Sequence, residues 1–148
     1  MSRRILRGFS RSALVQHRED AGYSRADLAR LADISVGAVY AWETGSATPQ
    51  VDTLLKVAEA LSISIREFVV LDEDDRYLGD LRVLAGMTQP RLAQKVGMST
   101  TALGALERAE ARLKPDTAQR LAEALGCTVD EVNAAYARTR RRPPGVAP

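Results

Sequence analysis

The chain aligns with itself when it is shifted by 64 residues. Residues 14–67 lie over residues 78–131 without a gap, and the run Ala58–Leu61 recurs as Ala122–Leu125. A self-match at one fixed period indicates that a single structural unit is present twice. The 148 residues therefore suit two small domains better than one medium domain. A duplicated small module is typical of a protein that engages an extended partner at two sites.

The spacing of apolar residues predicts that each copy is helical. Leu54, Val57, Ala58 and Leu61 recur three and four positions apart, and no alternating strand pattern competes. We therefore predict an all-α fold of two tandem five-helix domains. The predicted ranges are a basic arm over 1–11, domain 1 over 12–71, an acidic linker over 72–75, domain 2 over 76–136 and a basic, proline-rich tail over 137–148.

Helix ends are predicted in register in the two copies. Helix five begins at Ser64 and Thr128, because each is followed three residues later by a glutamate, as in a capping box. From Arg138 onward, charge and prolines predict disorder. The other predicted ranges are 12–21 and 76–85 for helix one, and 51–61 and 116–125 for helix four.

The net charge of +2 conceals basic ends on an acidic body. Each end carries four arginines, whereas residues 12–136 hold 13 basic and 19 acidic side chains, a net of −6. Two basic arms suggest a polyanionic partner that is gripped partly by flexible ends. The alternative is that the arginines only keep the protein soluble. These arginines are Arg3, Arg4, Arg7 and Arg11 at the N-terminal end and Arg138, Arg140, Arg141 and Arg142 at the C-terminal end.

Composition argues against catalysis and metal binding. The chain has a single cysteine, Cys127, and a single histidine, His17, so neither a disulfide framework nor a thiolate metal cluster is expected. Consecutive residues such as Asp72–Asp75 cannot all converge on one ion. We expect no enzyme activity, no cofactor, no metal and no small-molecule substrate.

The centre of each copy meets the requirements of a helix-turn-helix motif. Ala29 and Ala93 supply the small residue at which two steeply crossed helices touch. Four residues later, Asp33 and Gly97 tolerate the positive φ of a tight turn. Many helical hairpins match this pattern once, but two matches in register are a strong signal.

These residues resemble the Xre family, the lambda-repressor/Cro-like helix-turn-helix proteins. Ser24–Ala29 followed by Ser35–Gly45 looks like the family core, and Met87–Ala93 with Gly97–Ser99 is similar. The resemblance covers about residues 12–136 and implies a DNA-binding fold in each copy. It implies a prokaryotic or phage transcription regulator, often a repressor. Most such proteins carry one domain and dimerise, whereas this chain carries two.

The resemblance places base contacts on the third helix of each copy. These positions hold few of the side chains that usually discriminate bases, so we expect modest direct readout, with DNA shape and phosphate contacts carrying much of the energy. The predicted base-contacting residues are Val36, Gly37, Tyr40, Ala41, Thr100, Thr101, Gly104 and Ala105. The predicted phosphate-contacting residues are Ser24, Arg25, Ser35, Thr44, Thr88, Gln89, Ser99, Arg108, Arg112 and Lys114. The eight arginines of the two ends are predicted to follow the backbone or enter the minor groove.

The expected partner is double-stranded DNA, with a homodimer or a second protein partner as a further possibility. The alternative function is a protein-interaction module, such as an antitoxin or an antagonist of another regulator, in which one copy has lost DNA binding. The start of the chain lacks the apolar run of a signal peptide, and no stretch reaches about 20 apolar residues. We therefore expect no membrane association and a cytoplasmic location, nucleoid-associated when bound to DNA.

Overall fold

The computed structural model describes residues 5–148, which form two compact units. One unit ends at Leu71 and the other begins at Asp72. The described residues contain nine α-helices and two short 3-10 helices, with a single isolated bridge in place of any strand. The predicted all-α fold is confirmed.

The first unit has four α-helices and ends in a 3-10 helix. Its helices bury the apolar side chains that recur at helical spacing, among them Leu14, Leu28, Val39 and Leu54, all fully buried. The elements are α1 Arg11–Asp20, α2 Arg25–Ala32, α3 Val36–Thr44, α4 Val51–Ala60 and the 3-10 helix Ile65–Glu67.

The second unit has five α-helices that enclose one core, which includes Leu92, Leu103, Leu121 and Val132. Cys127 packs against this core and is partly buried. The elements are the 3-10 helix Glu73–Asp75, α5 Leu78–Leu84, α6 Gln89–Val96, α7 Thr100–Glu107, α8 Pro115–Leu125 and α9 Val129–Arg141.

The predicted helix-turn-helix geometry is present in both units. Ala29 and Ala93 are buried where the two helices cross. Asp33 and Gly97 end the first helix of each motif with φ values of 55° and 73°, in the left-handed region. Ser24 forms the predicted capping box with Asp27, and its side chain accepts a hydrogen bond from the Asp27 amide.

The predicted fifth helix of the first copy begins at Ser64 as expected, but it is only the short 3-10 helix Ile65–Glu67. After the 3-10 helix, the chain turns extended and pairs with the segment that precedes α1. Ser10 N donates to Phe68 O at 2.8 Å, Val70 N donates to Gly8 O at 2.8 Å, and Phe9 and Val69 form an antiparallel bridge. The aromatic and β-branched residues here favour this pairing over a helix.

The predicted disorder from Arg138 onward is wrong. Helix α9 continues to Arg141, and Thr139 is fully buried inside the second unit. The Thr139 hydroxyl accepts a hydrogen bond from the Leu78 amide at 3.1 Å and so caps the first turn of α5. Arg138 Nε donates to the Arg76 carbonyl at 2.8 Å. The last helix therefore holds the start of the unit in place.

Candidate nucleic-acid interface

Helix α3 of the first unit presents a largely apolar surface. Val36 is 49% exposed and Tyr40 is 54% exposed. Gly37 is exposed and Ala41 is partly buried. Four predicted base-contacting positions therefore lie at or near the surface, and only the Tyr40 hydroxyl among their side chains offers a hydrogen bond.

Helix α7 of the second unit presents a smaller and more polar surface. Thr100 and Thr101 are exposed on its first turn, and Ala105 is partly buried. Gly104 is the exception, because it is buried. A Cβ atom at Gly104 would lie 3.1 Å from Nη1 of Arg108. The Arg108 side chain thus covers the position that we expected to approach a base.

A buried arginine–glutamate pair connects the first helix of each unit to the end of its third helix. Arg18 donates from Nε and Nη2 to the Glu43 carboxylate at 2.7 and 3.0 Å. Arg82 and Glu107 repeat this arrangement at 2.8 and 3.2 Å. In each unit the same arginine also donates to a backbone carbonyl, five residues further along the chain. Loss of one member of such a pair leaves the other charge buried and typically costs about 3–5 kcal/mol.

The second helix of each unit, which is the first helix of its motif, supplies a third donor to this glutamate. Arg25 Nε donates to Oε1 of Glu43 at 2.9 Å, and Gln89 Nε2 donates to Oε1 of Glu107 at 2.8 Å. The Arg25 guanidinium also lies over the Tyr40 ring, 5.1 Å from its centroid. Both predicted phosphate-contacting residues are therefore oriented by a buried carboxylate, and the Arg25 side chain remains 44% exposed.

The pKa of Glu43 reflects this arrangement. Burial alone would raise it, but hydrogen bonds from Arg18 and Arg25 outweigh burial, and the net shift is below the ordinary value of 4.5. The hydrogen bond to Glu43 correspondingly raises the pKa of Arg18. Glu43 is therefore a fixed negative charge at neutral pH, which holds two cationic side chains in place.

An arginine from a chain end caps the third helix of each unit. Arg11 Nη1 donates to the Thr44 carbonyl at 2.7 Å, and Arg142 Nη1 donates to the Arg108 carbonyl at 2.9 Å. Thr44 and Arg108 are equivalent positions in the 64-residue alignment. Two arginines that we expected on flexible arms are therefore held against the negative end of the two recognition helices.

The remaining predicted contacts differ in their surroundings. Ser24, Ser35, Thr88 and Ser99 all cap helices, and each side chain accepts an amide hydrogen bond. The Thr44 hydroxyl donates to the Tyr40 carbonyl at 2.9 Å. Arg3 and Arg4 lie outside the described residues. Besides Arg11 and Arg25, the exposed cations of the predicted set are Arg112, Lys114, Arg140 and Arg141, while Arg7 is partly buried.

Arg18 and Arg82 were missed as site residues by sequence reasoning. The sequence did contain an indication of their role, because Arg18 and Arg82 are at equivalent positions in the 64-residue alignment, as Glu43 and Glu107 are. Opposite charges retained together in both copies indicate a shared pair. The capping role of Arg142 could not be found in this way. In the 64-residue alignment, Arg142 falls opposite Leu78, which already belongs to the second unit.

Comparison with protein families agrees with this geometry. The sequence model of the helix-turn-helix family matches residues 14–68 and again residues 78–132, more than half of the chain in all. The chain therefore belongs to the Xre, lambda-repressor-like helix-turn-helix family of DNA-binding transcription regulators, as the resemblance indicated. Comparison with curated proteins gives no match.

Two kinds of feature are absent from the residues that the structure describes. None of their helices is long and apolar enough to cross a membrane. No group of three or more histidine, cysteine, aspartate or glutamate side chains in residues 5–148 is placed to hold a metal ion.

Proposed function

We propose that the protein is a sequence-specific transcriptional repressor that places α3 and α7 in neighbouring major-groove segments of double-stranded DNA. The observation that carries this proposal is the twofold match to the family, with an exposed recognition helix in each matched segment. Only a few residues connect the two units, so one chain can span adjacent turns of one DNA duplex.

Phosphate contacts would supply much of the affinity. Arg25 and Gln89 stand at the start of the second helix of each unit, and each donates a hydrogen bond to a buried glutamate. Helix N-termini capped by Ser24, Ser35, Thr88 and Ser99 offer amide groups and partial positive charge to phosphates. Base readout would come from Tyr40, Thr100 and Thr101, with apolar contacts from Val36 to thymine methyl groups.

The two recognition helices predict an asymmetric operator. Of the proposed base-contacting positions, only Ala41 and Ala105 are the same in both copies. A single chain would therefore read two different half-sites. Selection of bound sequences from random DNA, followed by footprinting and mass measurement of the complex, tests this. The proposal fails if the selected site is a palindrome that two chains protect, each with one unit.

A protein-interaction role is the second candidate, and the surface of the first unit favours it. Val36 and Tyr40 expose apolar area on α3, and residues 12–71 carry 5 basic and 8 acidic side chains, a net of −3. A surface of this kind suits a protein better than DNA. DNA binding that survives Val36→Asp with Tyr40→Ala, beside loss of binding when α7 is altered in the same way, would support this role for the first unit.

A further inference from the structure

The C-terminal segment of the second unit folds back beside the end of α7 and forms an open cleft. Its volume is about 280 Å³, which is large enough for a phosphate group and its first waters. Its lining residues are Arg108, Arg140 and Arg142, together with Ala109 and the segment 143–146. Three of the lining residues are therefore arginines.

Arg142 holds the walls of this cleft together. Its Nη1 donates to the carbonyls of Arg108 and Thr139 at 2.9 and 2.8 Å, and its Nε donates to the Val146 carbonyl at 2.9 Å. Val146 N in turn donates to the Pro143 carbonyl at 3.1 Å and closes a turn. The segment is thus folded against α7 before any ligand arrives.

The charge in the cleft favours an anion. Arg108 Nε pairs with Glu110 at 3.0 Å, but the Glu110 side chain is 61% exposed, so this pair is screened by water. The negative end of α7 would otherwise repel an anion, and the Arg142 cap on the Arg108 carbonyl offsets that charge. Arginine forks match phosphate oxygens in geometry as well as charge.

We propose that this cleft binds one phosphate group through Arg108, Arg140 and Arg142. The source that the position favours is a phosphodiester of the DNA backbone, because the end of a helix in the major groove lies beside the sugar-phosphate strand. This choice of source rests on the DNA-binding function proposed above. A free phosphate or a phosphorylated small molecule would use the same chemistry.

The first experiment tests the cleft without DNA. The full chain is titrated with sodium phosphate, at an ionic strength kept constant with sodium chloride, and backbone amide signals are followed by NMR. We expect saturable shifts at Ala109, Gly145 and Val146. Arg140→Gln should weaken phosphate binding at least fivefold. Arg66→Gln is the control, because it removes the same charge from an exposed position that neither lines the cleft nor belongs to the predicted DNA contacts.

The second experiment measures DNA affinity of the same variants as a function of salt. One phosphate contact contributes about −0.9 to the slope of log K against log salt, which is about eightfold in affinity at 0.1 M salt. We expect this loss from Arg140→Gln, with the slope flattened by about 0.9. Arg66→Gln should stay within about twofold of the unaltered protein.

The outcomes separate the sources and the two proposals. Loss of both phosphate and DNA binding in Arg140→Gln, but not in Arg66→Gln, supports the cleft as a DNA phosphate site. Loss of phosphate binding alone supports the cleft and overturns DNA as the source. Phosphate shifts in a protein that selects no DNA sequence would refute the proposed function and leave the cleft standing. Equal behaviour of the two variants in both experiments overturns the cleft.

Discussion

The two units share a buried glutamate at one position and differ in what surrounds it. Glu43 accepts hydrogen bonds from two arginines, Arg18 and Arg25, whereas Glu107 accepts them from Arg82 and from the neutral Gln89. The buried arginine is common to both copies, and the surface donor is not. The constant part serves the fold, and the variable part lies where the family contacts DNA.

The ends of the recognition helices give a second comparison. The equivalent carbonyl is capped in each unit, but Arg11 is the first residue of α1 in the first unit and Arg142 directly follows α9 in the second. Asp75 occupies the position equivalent to Arg11 in the second copy and cannot donate in this way. The requirement for a cation therefore comes from the helix end itself, and each unit meets it with a different part of the chain.

The largest difference that we expect concerns the buried pairs. Arg82→Ala leaves Glu107 with only a neutral donor and should destabilise the second unit by about 3–5 kcal/mol. Arg18→Ala should destabilise the first unit by less, because Arg25 still lies 2.9 Å from Glu43. Urea unfolding reports each unit separately: fluorescence of Trp42, the single tryptophan, follows the first, and amide NMR signals follow the second.

Exposed arginines provide the control for this comparison. Arg66→Ala in the first unit and Arg91→Ala in the second remove the same charge from the surface and should change stability by less than about 0.5 kcal/mol. A larger loss from Arg18→Ala than from Arg82→Ala would show that Arg25 does not compensate for the missing partner.

The second difference concerns DNA affinity. Gln89→Ala combined with Arg108→Ala should weaken binding by roughly tenfold to a hundredfold, because the second unit has the fuller set of proposed phosphate contacts. Arg25→Ala should have a smaller effect. Both losses should apply to all sequences alike, since phosphate contacts do not read bases. Fluorescence anisotropy on the selected site and on scrambled DNA measures this, and an equal or larger loss from Arg25→Ala would reverse the ranking of the two units.

The sequence predicted the helix-turn-helix of both units well, because caps and turns there are local. Ser24, Asp33 and Gly97 act through their own backbone, so their roles are visible without tertiary structure. The fifth element of the first copy depends instead on a distant partner, the segment around Phe9. Alignment of Phe68 with Val132 could not reveal which of the two residues would meet that partner.

The candidate site was predicted less completely, because charged residues were assumed to be exposed to solvent. Arg18 and Arg82 are buried, although arginine is ordinarily a surface residue. The tail illustrates the same error: Val132, Ala135 and Thr139 lie three and four residues apart and mark a buried stripe. Disorder was predicted there because four arginines surround the end of that stripe, and their charge was given more weight than the helical spacing of the buried residues.

A third and smaller difference is expected at the left-handed turns. Ala109 has φ 58° where the first copy has Gly45, and Ser62 has φ 55° where the second copy has Gly126. Ala109→Gly and Ser62→Gly should each stabilise their unit by up to about 1 kcal/mol, because glycine adopts this region without strain. Thermal unfolding with the probes described above measures both.

The reverse substitutions separate backbone strain from crowding. At Gly126 no atom lies within 4 Å of an added Cβ, so Gly126→Ala should cost about 1 kcal/mol from the backbone alone. At Gly45 an added Cβ would collide with the Arg11 guanidinium, so Gly45→Ala should cost more and release the cap on Thr44. Equal costs at the two positions would mean that Arg11 moves aside freely.

The smallest difference concerns the pH dependence of stability. Because the folded-state pKa of Glu43 lies below 4.5, its charge stabilises the first unit above that pH, and this contribution is lost as the pH falls through the folded pKa. Arg25→Gln gives Glu43 a neutral third donor, as Glu107 has, and removes one of the hydrogen bonds that lower its pKa. Arg25→Gln should therefore lower the stability of the first unit slightly at neutral pH, where Glu43 is charged, and the acid unfolding midpoint reported by Trp42 should move to higher pH. Arg66→Gln makes the same change of charge on an exposed part of the first unit and should leave the midpoint in place. If Arg25→Gln also leaves it in place, Arg18 alone sets the pKa of Glu43, and the two units are electrostatically equivalent at this glutamate despite their different third donors.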